Sequence, residues 1–584
     1  MKAKSAIYRR AALRIVLVLA AFVFWGMFFP FALAWHEQFQ LFLFDGAYLA
    51  ERLSVPGGAM AYVSEFLVQF YNNPYLGAGG IALVFLLLQT WVWQLMKRDL
   101  KEQSDFLFVL SFLPSLFLWY VTGNENVMLA FPVSLILALV AMWFCPARGW
   151  RRMLYAVISI PVVYWLAGPV VIALAVYMFA EEIRHTASLP RRIGMGLLPV
   201  VYTLFIILLS SWAVPYPLRR LWGGLYYFRI PEVLPYSFIM LAVLCLLLIL
   251  SAASIERKWV RLKRQNLFTA AGTVVMAVAA FLAIPLGFEK KTYELIEYDY
   301  LVRLQRWNDI IRKAGQRQPD LPMSVCAVNL ALGMTNQLGE RAFDFFQNGP
   351  EGLMPAFSRD FNSTQLTGEV YFRLGLVNTA QRFAFEAMEA IPNYQKSGRV
   401  IKRLAETNLI NGQYKVTGKY LKMLRKTLFY RKWAESRMEM LADTTLIDRH
   451  PLYGRLRRMR LDDDFLFSET ELDKICGQLF ARDSGNTLAM QYLLLYPLLA
   501  RDIDRFMNYY GYVNSVVRYN PVVCREALAF ASMMRKSDVP PGLIGNDVML
   551  RLKSFAQSYT FNGKDSRQME GFRRTLWYYL MIEK

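Results

Sequence analysis

Two patterns of apolar and polar positions divide the chain. Up to about residue 286, long apolar runs alternate with short charged loops; beyond it, apolar positions recur at helical spacing among charged ones. The runs cover about 11–35, 77–96, 105–122, 127–144, 153–168, 169–182, 194–213, 236–254 and 267–286. Each reads as a membrane-crossing helix, the shorter ones relying on a packed bundle to bury their ends. The first run follows Lys2, Lys4, Arg9 and Arg10, exceeds the apolar core of a signal peptide and has no small-residue cleavage site after it. It reads as an uncleaved helix. Gly168 and Pro169 alone separate the fifth and sixth runs, which predicts a tight hairpin. The expected fold is all-α: a polytopic bundle of about nine transmembrane helices over 1–286, then an extracytoplasmic α-helical repeat domain over 287–584.

Charge in the loops gives an orientation. With the N-terminus in the cytoplasm, alternate loops carry Lys97, Arg98 and Lys101; Arg148, Arg151 and Arg152; Arg184, Arg191 and Arg192; and Arg257, Lys258, Arg261, Lys263 and Arg264. Together with the four N-terminal cations that is 18, against four on the other side: Arg52, Arg219, Arg220 and Arg229. The asymmetry predicts an inside N-terminus, and nine crossings then put everything after about Leu286 in the periplasm of a bacterium. Arg14 lies near the cytoplasmic start of its helix, within snorkelling reach of the surface.

Two outer loops are substantial, about 36–77 and 214–236. In the first, Phe44, Tyr48, Leu49 and Leu53 recur at helical spacing, as do Tyr62, Phe66, Leu67 and Phe70, with Pro56-Gly57-Gly58 between the two segments. The pattern predicts two short helices at the membrane surface.

The second half is helix-like throughout. Its most apolar stretch, Met490–Leu499, contains Pro497 and precedes Arg501 and Asp502, which fits a buried helix. Gly339, Gly375 and Gly412 each stand between an apolar helix and an amphipathic one. Tyr371 takes the large first-helix position, Ala380 and Ala387 the close-approach positions, and Pro392 the end of the unit; Leu404, Ala405, Gly412 and Leu421 partly repeat this. The pattern resembles the tetratricopeptide repeat over 292–430, with Ala at position 384 where that family usually has a large aromatic. The resemblance implies stacked helix pairs with a continuous core.

Composition narrows the chemistry. The formal charge is +21 with a pI near 9.6. Residues 1–286 hold 23 Lys+Arg and 12 Asp+Glu, and residues 287–584 hold 43 and 33, with no long basic tract. This pattern argues against a nucleic-acid partner. Five cysteines, Cys145, Cys245, Cys326, Cys476 and Cys524, form no C-x-x-C pair, and the three histidines are His36, His185 and His450, so a Cys/His metal cluster is not expected. A disulfide among Cys326, Cys476 and Cys524 stays open, as does a divalent metal. The chain has no phosphate loop, G-x-G-x-x-G, H-E-x-x-H or G-x-S-x-G, and no nucleotide or haem motif.

The outer loops hold the remaining candidates. The first carries His36, Glu37, Asp45, Glu51, Arg52 and Glu65; the second carries Arg219, Arg220, Trp222, Tyr226, Tyr227, Arg229 and Glu232. A carboxylate suits a general base, arginines suit phosphate, and aromatic faces suit sugars or isoprenoid chains. The layout resembles the C-superfamily membrane glycosyltransferases, whose first outer loop carries two surface helices and a catalytic acid. That resemblance implies transfer from a lipid-phosphate-linked sugar, with Asp45 or Glu37 as base and Arg219, Arg220, Arg229, Trp222 and Tyr226 binding the donor. No Asp-Asp or Asp-Glu pair stands in the loop. The segment 37–42, with Pro56-Gly57-Gly58, is also similar to an uncharacterised bacterial family of polytopic membrane proteins with a tetratricopeptide-like C-terminal domain. The alternative reading is a non-enzymatic scaffold in the bacterial inner membrane that binds a protein partner through its repeat domain. The expected partners are thus the lipid bilayer, a lipid-linked sugar and an extracytoplasmic protein.

Overall fold

The computed structural model describes residues 2–583 apart from 102–103, 148–149, 186–188, 231–232, 260–263, 393–394, 462–470, 536–538 and 566. Arg148, Glu232, Arg261 and Lys263 lie outside the described residues, as do the side chains of Lys2, Lys4, His185, Arg191 and Arg192. The described elements are helical, and one isolated antiparallel bridge joins Val127 to Phe228. The chain forms two compact units. The first comprises Met1–Tyr293 with Ile391–Gly398 and Lys426–Arg431; the second comprises Glu294–Ala390, Arg399–Arg425 and Lys432–Lys584.

Unit 1 contains α1 (Lys2–Val23), α2 (Pro30–Glu37), α3 (Gly46–Leu53), α4 (Gly58–Val68), α5 (Pro74–Lys97), α6 (Asp105–Leu110), α7 (Leu113–Val121), α8 (Ala130–Phe144), α9 (Trp150–Ala167), α10 (Val171–His185), α11 (Leu189–Ala213), α12 (Leu218–Gly223), α13 (Tyr236–Trp259) and α14 (Gln265–Ala283). Five helical segments are long and apolar enough to cross a membrane: Ala6–Phe28, Pro74–Lys97, Ile193–Ala213, Tyr236–Trp259 and Gln265–Gly287. The other four expected crossings fall on shorter or broken helices. The run 105–122 divides into α6 and α7, while α8, α9 and α10 have 15, 18 and 15 residues. A 15-residue helix rises only about 22 Å, short of a hydrocarbon core of about 30 Å.

The first apolar run is also two helices. Helix α1 continues as a π turn over Phe24–Phe28, Phe29 leaves helical geometry at φ −127° and ψ 43°, and Pro30, which has no N–H, starts α2. All of α2 after Pro30 is buried. Arg14 turns inward: it donates to Gln89 Oε1 at 2.8 Å, Gln89 Nε2 to Ser111 Oγ at 2.8 Å, and Ser111 Oγ to the Phe108 carbonyl at 2.6 Å. A polar chain thereby links α1, α5 and α6. Two arginines of the loop count are structural as well. Arg98 donates to the Cys145 carbonyl at 2.9 Å beyond the end of α8, and buried Arg152 pairs with buried Glu182 at 2.8 Å.

Unit 2 is built of helical hairpins. Its helices include α15 (Lys290–Arg303), α16 (Trp307–Gln316), α17 (Pro322–Met334), α18 (Leu338–Arg341), α19 (Phe361–Leu374), α20 (Val377–Glu389), α21 (Gly398–Ile410), α22 (Tyr414–Arg425), α23 (Arg431–Ala442), α24 (Thr445–Arg449), α25 (Pro451–Met459), α26 (Leu472–Arg482), α27 (Thr487–Leu499) and α28 (Ile503–Val516). One turn recurs. A residue at positive φ ends a helix, and the next N–H bonds back five residues: Leu376 to Tyr371 at 3.0 Å around Gly375, and Gln413 to Asn408 at 2.8 Å around Gly412. The same turn occurs at Gln305, Asn336 and Arg501, with φ of 55°, 58° and 59°. Glycine spacing therefore misplaces the first turn of the repeat, which is made by Asn336. Gly339 lies inside α18, where a Cβ would stand 2.4 Å from the Tyr519 hydroxyl. Large and small residues interlock between α19 and α20: Tyr371 meets Phe383 at 5.1 Å, with Gly368, Ala380 and Ala387 permitting close approach. Helix α27 is buried from Leu488 to Leu499. All five cysteines are buried free thiols.

A buried acid gives unit 2 a pH signature. Burial raises the Glu369 carboxyl, but Arg403, Arg373 and Arg399 outweigh burial and hold it down at about 2. The folded acid loses its proton more readily than the unfolded one, so its stabilisation is present above the ordinary carboxylate range and is lost as pH falls towards 2. Circular-dichroism melts between pH 5 and 2 are expected to show stability falling, with a shallower decline for Glu369→Gln. Equal slopes would contradict this assignment.

Candidate functional site

The α3–α4 hairpin of unit 1 is shaped by glycine. Helix α3 is capped by Asp45, whose carboxylate accepts from the Ala47 N–H, and ends at Leu53. Gly57 turns the chain at φ +80°, donates its N–H to the Trp165 carbonyl at 2.9 Å, and lies against the backbone of Gly168. Trp165 returns a bond from Nε1 to the Leu53 carbonyl at 2.9 Å. At Gly58 a Cβ would stand 1.6 Å from the Arg52 carbonyl oxygen, so no side chain fits. Helix α4 then buries Gly58, Ala61, Ser64, Glu65 and Val68, while Phe66 is exposed and Tyr62 and Phe70 are half-buried. Helical periodicity gathers the aromatic residues into one stripe; the packing buries the opposite, small-residue face, because small residues let α4 approach its neighbours closely. The aromatic stripe instead meets Phe42, Phe44 and Phe429.

Burial of that face takes a carboxylate inside. Glu65 is 1% exposed and pairs with Arg52, itself 4% exposed, at 2.9 Å. Tyr48 donates its hydroxyl to the same carboxylate, and Gln395 donates from Nε2 at 3.3 Å. The Arg52 guanidinium lies 4.8 Å from the Tyr48 ring and 5.4 Å from the Tyr226 ring. Burial pushes the Glu65 carboxyl up against the opposing pull of Arg52 and Tyr48, and pushes the Tyr226 hydroxyl up to about 12. Burial works against the Arg52 charge, but Glu65 more than restores it, so the guanidinium is held above its ordinary value. Tyr227 ties the 214–236 loop to the α9–α10 turn, donating to the Ala167 carbonyl.

The carboxylates singled out in the sequence have other partners. Asp45 caps α3 and pairs with Lys426 at 2.5 Å; that hydrogen bond, ahead of the opposing effect of burial, holds its carboxyl below the usual range. Buried Glu37 accepts from the Tyr430 hydroxyl at 3.0 Å. Both acids thus meet the 426–431 segment, whose Lys426 carbonyl also accepts from Phe44 N–H at 2.8 Å. Arg229 donates to Asn126 Oδ1 at 2.7 Å and lies 4.7 Å from the Phe39 ring. Arg220 lies over Tyr216 at 5.2 Å, while Arg219 and Trp222 are exposed. Tyr226, among the candidate donor-binding residues, meets the Arg52–Glu65 pair. The signal for Glu65 in the sequence is an acid on the small-residue face of an apolar helix.

Nearby, burial and then Arg229 push the His36 imidazole down to about 4. It lines a cavity of about 20 Å³ with Trp25, Gln40, Tyr71, Thr122 and Met128, which has room for one water and none for a sugar. Among the described residues, no three of His, Cys, Asp and Glu converge to hold a metal ion. No curated protein and no solved structure matches the chain. The chain does match a family of unknown function, DUF6057, from residue 5 to residue 583, and it belongs to that family.

Proposed function

We propose that this protein is a membrane-anchored scaffold of the bacterial inner membrane that binds an extracytoplasmic protein through unit 2. In this reading the N-terminus is cytoplasmic, the bundle crosses nine times with its shorter helices buried among longer ones, and unit 2 is a periplasmic, tetratricopeptide-like array. The observation that carries it is a surface on the first helices of successive hairpins in unit 2. There Lys402 of α21 and Arg437 of α23 both lie over Trp433, at 5.1 and 5.2 Å. Tryptophan and arginine are enriched at partner-binding surfaces.

The glycosyltransferase reading keeps one supporting feature, the Glu65 carboxylate raised by burial beside Tyr226 and Arg52. The two readings separate on an envelope glycan profile of a deletion strain complemented by Glu65→Gln, Asp45→Asn, Glu37→Gln or wild type at matched expression. The scaffold reading expects all three variants to restore the wild-type profile. If any stably expressed variant fails to restore a glycan that wild type restores, the scaffold reading is wrong and that acid serves the enzyme reading.

A further inference from the structure

We infer that the Lys402–Trp433–Arg437 surface of unit 2 is a binding site for an acidic peptide segment; this deepens, and rests on, the scaffold reading. The site joins α21 to α23 and α25. Lys402 Nζ and the Arg437 guanidinium lie within 5.2 Å of the same indole centroid, so the two charges are no more than about 10 Å apart. Among the described residues neither cation has a carboxylate in ion-pair contact. Arg437 instead reaches the Tyr453 hydroxyl at 3.4 Å and His450 Nε2 at 3.5 Å, with the His450 ring stacked on Tyr453.

The nearest acid is already engaged. Glu406 accepts from Tyr453 at 3.1 Å and faces Arg403 at 3.3 Å, and Arg403 also bonds Glu369. Lys402 and Arg437 thus stand with Arg403 beside two acids, Glu406 and Glu369, that are already engaged, and like charges this close repel each other unless a further anion joins them. Burial, with help from Arg403, Arg303 and Arg437, pulls the Lys402 ammonium below its ordinary value in spite of Glu406. An incoming carboxylate reverses that penalty.

The spacing favours a peptide. Alternate side chains of an extended strand stand about 7 Å apart on one face, so two acids at i and i+2 can meet Lys402 and Arg437 while aliphatic carbons cover the indole. A dense polyanion such as a phosphodiester chain or an anionic bilayer fits less well, because Glu369, Glu406 and Asp299 interrupt the cationic field on neighbouring turns.

The test uses the full chain in lipid nanodiscs and a fluorescein-labelled peptide of four Glu-Ala repeats, with the Gln-Ala peptide as control. Wild type is expected to bind the glutamate peptide at least about tenfold more tightly than the glutamine one, with affinity falling as salt rises. Lys402→Gln and Arg437→Gln are each expected to weaken it about tenfold, Lys402→Arg to retain it, and Lys419→Gln on the exposed face of α22 to leave it unchanged. Melting curves check that every variant is folded. Equal binding of the two peptides, or an equal loss with Lys419→Gln, overturns the proposal. So does binding of phosphatidylglycerol vesicles through Lys402 and Arg437 without binding of the glutamate peptide. Photo-crosslinking from position 433 in cells separates the two levels. A discrete protein adduct whose contact segment lacks acids keeps the scaffold and overturns the acidic site. Peptide binding with no cellular adduct upholds the site and removes the scaffold.

Discussion

Alanine at position 58 is expected to unfold the α3–α4 hairpin. The added Cβ would stand 1.6 Å from the Arg52 carbonyl oxygen and 2.7 Å from its carbon, both backbone atoms that no side-chain rotation can move. Relief requires moving the end of α3 or the start of α4. Either shift disturbs the Gly57 bond to Trp165 and the Trp165 bond to Leu53. The expected cost is about 3 kcal/mol or more, at the severe end for one substitution. It should be read as a lower melting temperature and a lower yield of the detergent-solubilised protein. Gly46→Ala is the control: Gly46 starts α3, and a Cβ there meets nothing within 4 Å. That variant is expected to be neutral, or more stable by about 0.5 kcal/mol. A wild-type melting temperature for Gly58→Ala would show that the hairpin has a different geometry.

The second large effect is at Glu65. Glu65→Ala leaves the Arg52 guanidinium buried without its carboxylate, which costs about 3–5 kcal/mol for a buried pair broken on one side. Removing both charges together, as Arg52→Met with Glu65→Leu, is expected to recover most of that loss, because the penalty lies in the orphaned charge. Glu65→Gln should fall between, since an amide oxygen still accepts from Tyr48. Thermal melts of the four proteins decide this, and equal melting temperatures for wild type and Glu65→Ala would end the argument. The double variant also carries a functional reading. If it is stable and complements a deletion strain fully, Glu65 is structural; if it is stable and does not complement, the buried pair has a role in function.

Much of the helical layout was legible because burial leaves a local trace. The Pro56-Gly57-Gly58 break, the Gly168-Pro169 hairpin, and the turns at Gly375 and Gly412 depend on residues that set backbone geometry within a few positions. The turns at Gln305 and Arg501 were not legible, because there the left-handed conformation is imposed on residues that do not favour it, and at Asn336 the asparagine preference is weaker than the glycine signal three residues on. The crossing count was legible only in part. Hydropathy marks a run as apolar, but α8, at 15 residues, is a short apolar helix as α17 and α27 of unit 2 are, and an apolar run of that length does not by itself say whether it crosses a membrane.

The candidate site shows the same division. The sequence by itself determined that an acid-bearing amphipathic hairpin follows the first apolar run, that aromatic and cationic residues fill the 214–236 loop, and that the second half is a series of helix pairs. Only the tertiary structure decided which face of α4 turns inward, and with it that Glu65 and Arg52 share a buried pair. Only it sent Asp45 to Lys426 and Glu37 to Tyr430, 381 and 393 residues along the chain, and set Lys402 and Arg437 over one indole ring. The physical reason is range. Periodicity and turn chemistry act over a single helical turn, whereas the partner of a charge is set by which surfaces pack together, and two apolar faces of one helix look alike until a neighbour fits closely against one of them.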